Sequence, residues 1–341
     1  MRLRPRDIVV VGASAGGVEA LRSFAAGLPA GLPAAVLVVL HMPAGAASAL
    51  PAILRRSGPL PAVAARHDAA IEAGLITVAT PNHHLMIDDG RLRLSHGPTE
   101  NGHRPAVDVL FRSAARAAGP RVIGVVLSGV LDDGTAGLVN IVRRGGLALV
   151  QEPRDALFAN MPQSALRYMP HAQVLPAGEM GVALKQLVAD QVDLDAAPPP
   201  SRLDILESNI AAYIGNGDDR KAGDMAQFSG FSCPDCQGNL MELESETARY
   251  RCRVGHAWTA DALFDKQASD LERALWLALR TLDEKVSLAR RLASDAERRG
   301  SQSLSGRYRD AAEESESASE LLRKFLLSGN LGQADLELPH A

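Results

Sequence analysis

Four short runs rich in valine, isoleucine and leucine constrain this chain more than any other feature: Ile8–Val11, Ala35–Leu40, Ile123–Leu127 and Leu147–Gln151. Each is too short for an ordinary helix and lacks the polar alternation of a strand with one wet face. Such runs read as strands buried on both faces, the pattern of a parallel sheet. Helix-period stretches lie between them. Val18, Leu21, Ala25 and Leu28 share one face of the first, and Val107, Leu110, Phe111 and Ala114 share a face of another. The stretch Thr77 to Ser95 breaks the rhythm, with Asp88-Asp89-Gly90 joining two short alternating strands as a hairpin. Strands alternating with helices predict an α/β fold over residues 1–195: a doubly wound, mostly parallel sheet with helices on both faces.

The rest of the chain follows other rules. Pro198-Pro199-Pro200, after Asp195-Ala196-Ala197, reads as a stiff linker. It belongs to a region, 196–228, with a short helical pattern (Leu203, Leu206, Ile210) and a loop at Gly215–Gly217. Residues 229–264 hold all three cysteines and are expected to form a small zinc-ribbon-like segment. Beyond them Leu271, Leu275, Leu279, Leu282, Val286, Ala289 and Leu292 recur at three- and four-residue spacing, which marks a long amphipathic helix. Gly300 to Gly306 interrupts it. A second helix through Tyr308, Ala311, Leu321 and Phe325 completes an expected helical hairpin over 265–330.

A formal net charge of −4 gives no global reason to expect a nucleic-acid or membrane-surface binder. The basic start, Met1 to Arg6, runs into an apolar stretch that ends in a Gly/Ser turn, too short for a signal peptide. The longest apolar run, Ala34 to Leu40, is far short of a membrane span. Three clustered cysteines do not make a disulfide framework. The expectation is a cytoplasmic protein with no membrane insertion.

Gly12-Ala13-Ser14-Ala15-Gly16 fits the G-x-S-x-G pattern of a nucleophile turn, between a strand ending at Val11 and a helix beginning near Val18. There a serine projects its hydroxyl from the sheet edge, and the N–H groups opening the helix could stabilise an oxyanion. A phosphate-cradling turn is the competing reading. Ser14 stands at the second glycine position of the dinucleotide fingerprint, the acidic residue expected ~20 positions on is missing, and no P-loop lysine is present.

A serine needs a base. Functional groups of open α/β sheets collect at the carboxyl ends of strands, which ranks His41, directly after Ala35–Leu40, first among nine histidines. His83, His84 and His103 are rivals that read as surface-loop residues. The strand Ile123–Leu127 ends in Ser128-Gly129-Val130-Leu131-Asp132-Asp133-Gly134. One aspartate there could orient the histidine and the other cap the next helix. The residues alone do not choose between them.

These segments together resemble the catalytic domain of the chemotaxis receptor methylesterases, the CheB family. Gly12-Ala13-Ser14-Ala15-Gly16-Gly17 resembles its G-A-S-x-G-G, His41-Met42-Pro43 its H-M-P, and Ser128 to Gly137 its aspartate loop. His103-Arg104-Pro105-Ala106-Val107-Asp108-Val109-Leu110-Phe111 matches H-R-P-S-V-D-V-L-F except at Ala106. Phe158-Ala159-Asn160-Met161-Pro162 resembles F-G-M-P with a spacer. The resemblance covers roughly residues 7–190.

It implies a triad of Ser14, His41 and Asp133, the acid being the aspartate directly before the glycine. It also implies that the backbone around Val130 lines the oxyanion site, with Arg104 and Met161 near the substrate cleft. The implied activity is hydrolysis of glutamate γ-methyl esters on a chemoreceptor or related sensory protein, releasing methanol, with glutamine deamidation by the same machinery and no catalytic cofactor. The family's best-known members carry a receiver domain ahead of the catalytic one. This chain reaches its first strand at Ile8, so a stand-alone form without phosphorylation gating is expected.

Cys233-Pro234-Asp235-Cys236, then fifteen residues, then Cys252 and His256, suits a closed tetrahedral site for one structural zinc. Arg249, Arg251 and Arg253 alternate along a strand, putting three cations on one face. A solvated face is the commoner explanation; an acidic receptor surface or nucleic acid is the sharper one. The alternative to the hydrolase is a signalling adaptor whose zinc and helical region docks a partner helix, with weak or no catalysis.

Overall fold

The computed structural model describes residues 2–45, 48–213, 226–243 and 245–328, so the loop expected at Gly215–Gly217 lies outside the described residues. The chain divides into two units, Met1–Ala262 and Leu263–Ala341. The first begins with β1 (Leu3–Pro5), β2 (Ile8–Ala13), α1 (Gly17–Gly27), β3 (Ala35–Leu40), α2 (Leu50–Ser57), β4 (Ala62–Ala64) and β5 (Ile76–Val78). Then come β6 (His84–Asp88), β7 (Arg91–Ser95), α3 (Val107–Ala118), β8 (Val122–Val126), α4 (Thr135–Arg143), β9 (Leu147–Gln151) and α5 (Asn160–Tyr168). It continues with β10 (Gln173–Leu175), α6 (Met180–Leu187), β11 (Gln191–Asp193), α7 (Arg202–Ala211), β12 (Ala226–Ser232), β13 (Asn239–Leu243), β14 (Arg249–Cys252) and β15 (Ala257–Thr259).

The four runs singled out from the sequence are β2, β3, β8 and β9, all in one seven-stranded sheet of order β10-β9-β8-β2-β3-β5-β4. Every pairing in it is parallel. Two boundaries shift: β8 lies one residue earlier than expected, and β2 runs on to Ala13, directly before Ser14. Both faces of the central strands are apolar because both are covered. Val9, Val11, Val36 and Val38 pack with Leu21, Phe24 and Leu184 from α1 and α6. Val10, Leu37, Val39 and Val126 pack on the other side with Leu110, Phe111, Leu138 and Ala165 from α3, α4 and α5.

The hairpin read at Asp88-Asp89-Gly90 is β6–β7, paired antiparallel from His84↔Ser95 to Asp88↔Arg91. Asp89 (φ +46°) and Gly90 (φ +72°) are both left-handed, the conformation a two-residue hairpin turn requires. A separate ribbon pairs β1 with β11, Leu3 opposite Asp193 and Pro5 opposite Gln191. α7 opens on a capping box between Ser201 and Asp204. It docks through Arg116 Nη1 to Asn209 Oδ1 (3.1 Å) and Ser95 Oγ to the Ala211 carbonyl (2.6 Å). Strands β12 to β15 form a four-stranded antiparallel sheet in chain order.

The second unit is built from α8 (Ala260–Arg298), which starts just before the boundary, and α9 (Gln302–Leu327). Val286, Ala289, Ala293 and Ala296 of α8 are buried, as are Ser305, Ala312, Ser315 and Ser319 of α9. Small side chains at these places let two backbones run close. Asp283 takes hydrogen bonds from Ser319 and Arg323, and Arg290 pairs with Glu316 at 2.6 Å. Among the described residues, no helix is long and apolar enough to cross a membrane.

Phe111, fully buried under β2 and against Leu138, carries much of one core. Phe111→Ala is expected to cost about 4 kcal/mol. Urea unfolding checks this; a loss under about 1 kcal/mol would show that this cluster does not hold α3 to the sheet.

Candidate active site

β2 sits where the strand order turns, with β3 on one side and β8 on the other. The crevice of an open α/β sheet forms at the carboxyl ends around such a strand. Ser14 follows β2, His41 follows β3, and Asp132 and Asp133 lie in the loop after β8. The register brings those ends level, with Ala13 opposite Leu40 and Gly12 opposite Val126. Backbone bonds tie the loops together: the Ser14 amide donates to the Ser128 carbonyl (2.9 Å) and the His41 amide to that of Ala13 (3.2 Å). The approach is so close that a Cβ on Gly129 would stand 2.0 Å from Met161 Sδ and 2.9 Å from Ser14 Cβ. Gly16 is left-handed (φ +66°), which turns the chain from strand into helix within three residues of Ala13.

His41 bridges the other two side chains. Its Nδ1 lies 3.1 Å from Ser14 Oγ and its Nε2 lies 2.7 Å from Asp133 Oδ2. An ionised carboxylate can only accept, so Nε2 carries the proton and the Nδ1 lone pair faces the serine. Asp133 Oδ2 also accepts from the Val107 amide (2.7 Å). Its Oδ1 accepts from the amides of Asp108 (3.1 Å) and Gly134 (3.0 Å) and from Asn101 Nδ2 (3.4 Å). Burial works to raise the Asp133 pKa, but bonds from His41 and Val107 outweigh it and hold the carboxyl below its usual range. Two of those amides open α3, so the helix N-terminus adds its partial positive charge.

The neighbouring aspartate has a different role. Asp132 Oδ1 accepts from Thr259 Oγ1 at 2.7 Å, and burial pushes its pKa up to about 6 despite that bond. The choice that the residues left open is settled by contact with His41, which Asp133 makes. Around the serine, the amides of Ser14, Gly17 and Gly129 are all engaged. Arg104 is held by its own surroundings, donating twice to Asn82 Oδ1 and to the carbonyls of His96 and Gly97. Met161 is fully buried beneath the Gly129 turn.

Two expectations need correction. His84 and His103 are not surface-loop histidines. The His84 ring is buried, its Nε2 bonded to the Pro98 carbonyl (2.9 Å) and its Nδ1 accepting from the Ala106 amide (3.3 Å). The His103 ring stacks on His41, centroids 3.7 Å apart and planes 14° from parallel. Burial, then the neighbouring His41, lower the His103 pKa to about 4, so it meets the base as a neutral ring.

The arginine face of β14 is not solvated either. Arg249 and Arg251 are 3% and 5% exposed, and only Arg253 reaches solvent. Arg251 Nη2 contacts Glu100 Oε1 (2.9 Å) and Glu207 Oε1 (2.7 Å), while Arg249 Nη1 contacts Glu207 Oε2 (2.7 Å). Arg112 from α3 completes the cluster at 2.7 Å from Glu100 Oε1. Burial works to raise the Glu100 pKa, but the three guanidinium groups outweigh it and hold the carboxyl below its usual range. The strand alternation was read correctly; what it faced was not visible, because Glu100 is 151 positions from Arg251.

The four expected metal ligands also converge. One ligand atom from each of Cys233, Cys236, Cys252 and His256 lies within 4.8 Å of the others. His256 Nδ1 is 3.5 Å from Cys252 Sγ and 3.7 Å from Cys233 Sγ, and the Sγ atoms of Cys236 and Cys252 are 3.6 Å apart. A tetrahedron with ordinary zinc–sulfur and zinc–nitrogen lengths has edges of about 3.5–3.8 Å, so the donor set fits that ion. Burial pushes the Cys233 thiol up to about 12 and raises Cys252, the opposite of a reactive redox pair.

A family model described as CheB methylesterase matches residues 9–184. A protein-glutamate methylesterase/protein-glutamine glutaminase of Methanosarcina acetivorans is 36% identical over 192 residues, 54% of this chain and 54% of the relative. One from Geobacter metallireducens is 36% identical over 177 residues, covering 51% of this chain and 48% of the relative. The chain thus spans about half the length of the curated relatives it matches. The crystal structure of the Thermotoga maritima CheB methylesterase catalytic domain is similar with a TM-score of 0.51 and 30% identity, over 53% of this chain and 98% of that one.

The low His103 pKa carries a sign. A histidine at about 4 folded and near 6.5 unfolded contributes stability that is present above 6.5 and lost as pH falls toward 4. The wild type is therefore expected to lose up to about 2 kcal/mol from this residue between pH 7 and 5. His103→Gln should lack that loss, so the stability gap between the two proteins narrows on acidification. A gap that stays constant in urea melts at the two pH values would contradict the neutral ring.

Proposed function

Because the chain belongs to the CheB methylesterase family, we propose that it is a protein-glutamate methylesterase. In this reading Ser14, His41 and Asp133 remove γ-methyl esters from glutamates of a chemoreceptor or related sensory protein in the cytoplasm. The observation that carries it is the continuous path from Ser14 Oγ through His41 to Asp133, 3.1 and 2.7 Å long, at the ends of adjacent parallel strands.

The chemistry follows from those atoms. Ser14 Oγ attacks the ester carbonyl carbon while His41 Nδ1 takes its proton. Asp133, already accepting from Nε2, stabilises the imidazolium that results. The Ala15 and Gly16 amides and that of Val130 are the nearby backbone donors for the oxyanion. Collapse breaks the carbon–methoxy bond, and the imidazolium returns its proton to the leaving oxygen, so methanol departs. Water then attacks the acyl-serine by the same proton path, regenerating Ser14 and leaving the glutamate carboxylate. A glutamine side chain would pass through the same steps with ammonia as the leaving group.

Cys233, Cys236, Cys252 and His256 would hold one zinc ion, making β12–β15 a zinc-ribbon-like module, with α8 and α9 as a helical hairpin beyond it. Four protein donors close the coordination sphere, so the metal serves folding rather than catalysis.

Ser14→Ala should abolish methanol release from a methylated receptor, and His41→Ala should lower it by about 10³-fold or more. Equal rates for wild type and Ser14→Ala would end the hydrolase reading. Metal analysis after mild purification should find close to one zinc per chain; fully folded, metal-free protein would refute the structural site.

A further inference from the structure

We propose that Asn101 is a positioning residue for Asp133 and is held in place by the cysteine-bearing sheet, so that metal occupancy of that sheet sets the rate of Ser14 chemistry. The proposal rests on the hydrolase and zinc readings above and goes beyond both.

The loop 99–103 makes two contacts with the triad. Asn101 Nδ2 reaches Asp133 Oδ1, and the His103 ring lies on His41. That loop is in effect a further strand of the appended sheet. The Ala257 amide donates to the Thr99 carbonyl (3.2 Å), the Asn101 amide to the Ala257 carbonyl (2.8 Å), and the Thr259 amide to Asn101 Oδ1 (2.8 Å). Asn101 is thus gripped at backbone and side chain by β15 while its remaining donor points at the acid. Its left-handed backbone (φ +53°) permits this and suits asparagine. Thr259 also binds Asp132. Arg249 and Arg251 of β14 hold Glu100, the residue before Asn101.

The metal ligands lie at the root of the same strands. Cys252 ends β14 and His256 immediately precedes Ala257. Their turn is closed by the Cys252 amide on the His256 carbonyl (3.0 Å). Asp235, between the other two cysteines, accepts from Thr99 Oγ1 at 2.6 Å. An ion joining these four side chains would fix the spacing of β14 and β15, and with it the position of Asn101.

The contact to Asp133 is the tunable one. At 3.4 Å it is the longest of the five bonds to that carboxylate. The sheet that supplies it lies outside the stretch 9–184 matched by the family model. Ser14, His41 and the Val107 and Gly134 amides belong to the α/β framework and would stay in place if β15 loosened.

The test uses the full-length protein zinc-loaded, chelator-stripped and zinc-restored, with a fluorophosphonate probe. Ser14 Oγ forms a P–O bond, fluoride leaves, and the serine proton passes to His41. Stripping is expected to lower the maximal labelling rate about 10-fold with probe affinity unchanged, and zinc to restore it. Asn101→Gly keeps the left-handed backbone and removes only the side chain. Loaded with zinc it should show a similar loss, and stripping should add little, because both changes act on one contact. Circular dichroism and urea midpoints establish that each form is folded. A folded, stripped wild type that labels at the loaded rate would overturn the proposal, as would undiminished metal dependence in Asn101→Gly. If stripping unfolds the chain, loaded Asn101→Gly decides alone, and an unchanged labelling rate overturns the positioning role. Labelling equal to that of Ser14→Ala would instead defeat the hydrolase reading, and absence of bound zinc the metal reading.

Discussion

Asp133 is a carboxylate taken out of water, and the order around Ser14 depends on how that charge is met. An isolated buried carboxylate would take up a proton, and a protonated acid could not hold His41 with its Nδ1 lone pair toward the serine. Four donors besides His41 prevent this: the amides of Val107, Asp108 and Gly134, and the side chain of Asn101. They tie the start of α3 to the loop after β8, so the packing of a helix and the ionisation of an acid are one constraint. Nearby Asp108, without such a set of donors, is pushed well above the usual carboxylate range by burial and by the Asp133 charge.

A second buried polar centre joins the α/β framework to the strands that follow it. Arg112 and Glu100 belong to one, Arg249 and Arg251 to the other, and Glu207 of α7 lies between them. Such clusters add little net stability compared with an apolar core of the same size, but removing one partner leaves an unmatched charge. Their strength is in specificity: two carboxylates and three guanidinium groups have few satisfactory arrangements. Here the arrangement fixes which face of β14 turns inward and where the loop bearing Asn101 and His103 is held.

Much of this was legible in the residues. Buried parallel strands announce themselves by continuous apolar runs, and β2, β3, β8 and β9 did so within a residue or two. Strand topology then ranked His41 above eight other histidines, because a position directly after a strand is a local fact with a spatial meaning. Asp132 and Asp133 resisted the same logic. They share one loop, and what separates them is a partner far away in sequence, Thr259 for one and His41 for the other. Arg249 and Arg251 show the same limit. Alternation says that two side chains share a face, and only the folded chain says what that face meets. His103 was passed over because ring stacking on a residue 62 positions away (103 − 41) leaves no local pattern.

The small ribbon of β1 and β11 has a consequence for how such a domain can be joined to others. Leu3 lies opposite Asp193, so the polypeptide enters the α/β framework and leaves it at neighbouring points on its rim. Topologically the framework is a nearly closed ring of chain with its seam at that ribbon. Neighbouring ends are the usual condition for circular permutation and for insertion into a host chain. Whatever is fused on either side is then suspended from one spot, and the crevice that holds Ser14 needs no rearrangement to accommodate it.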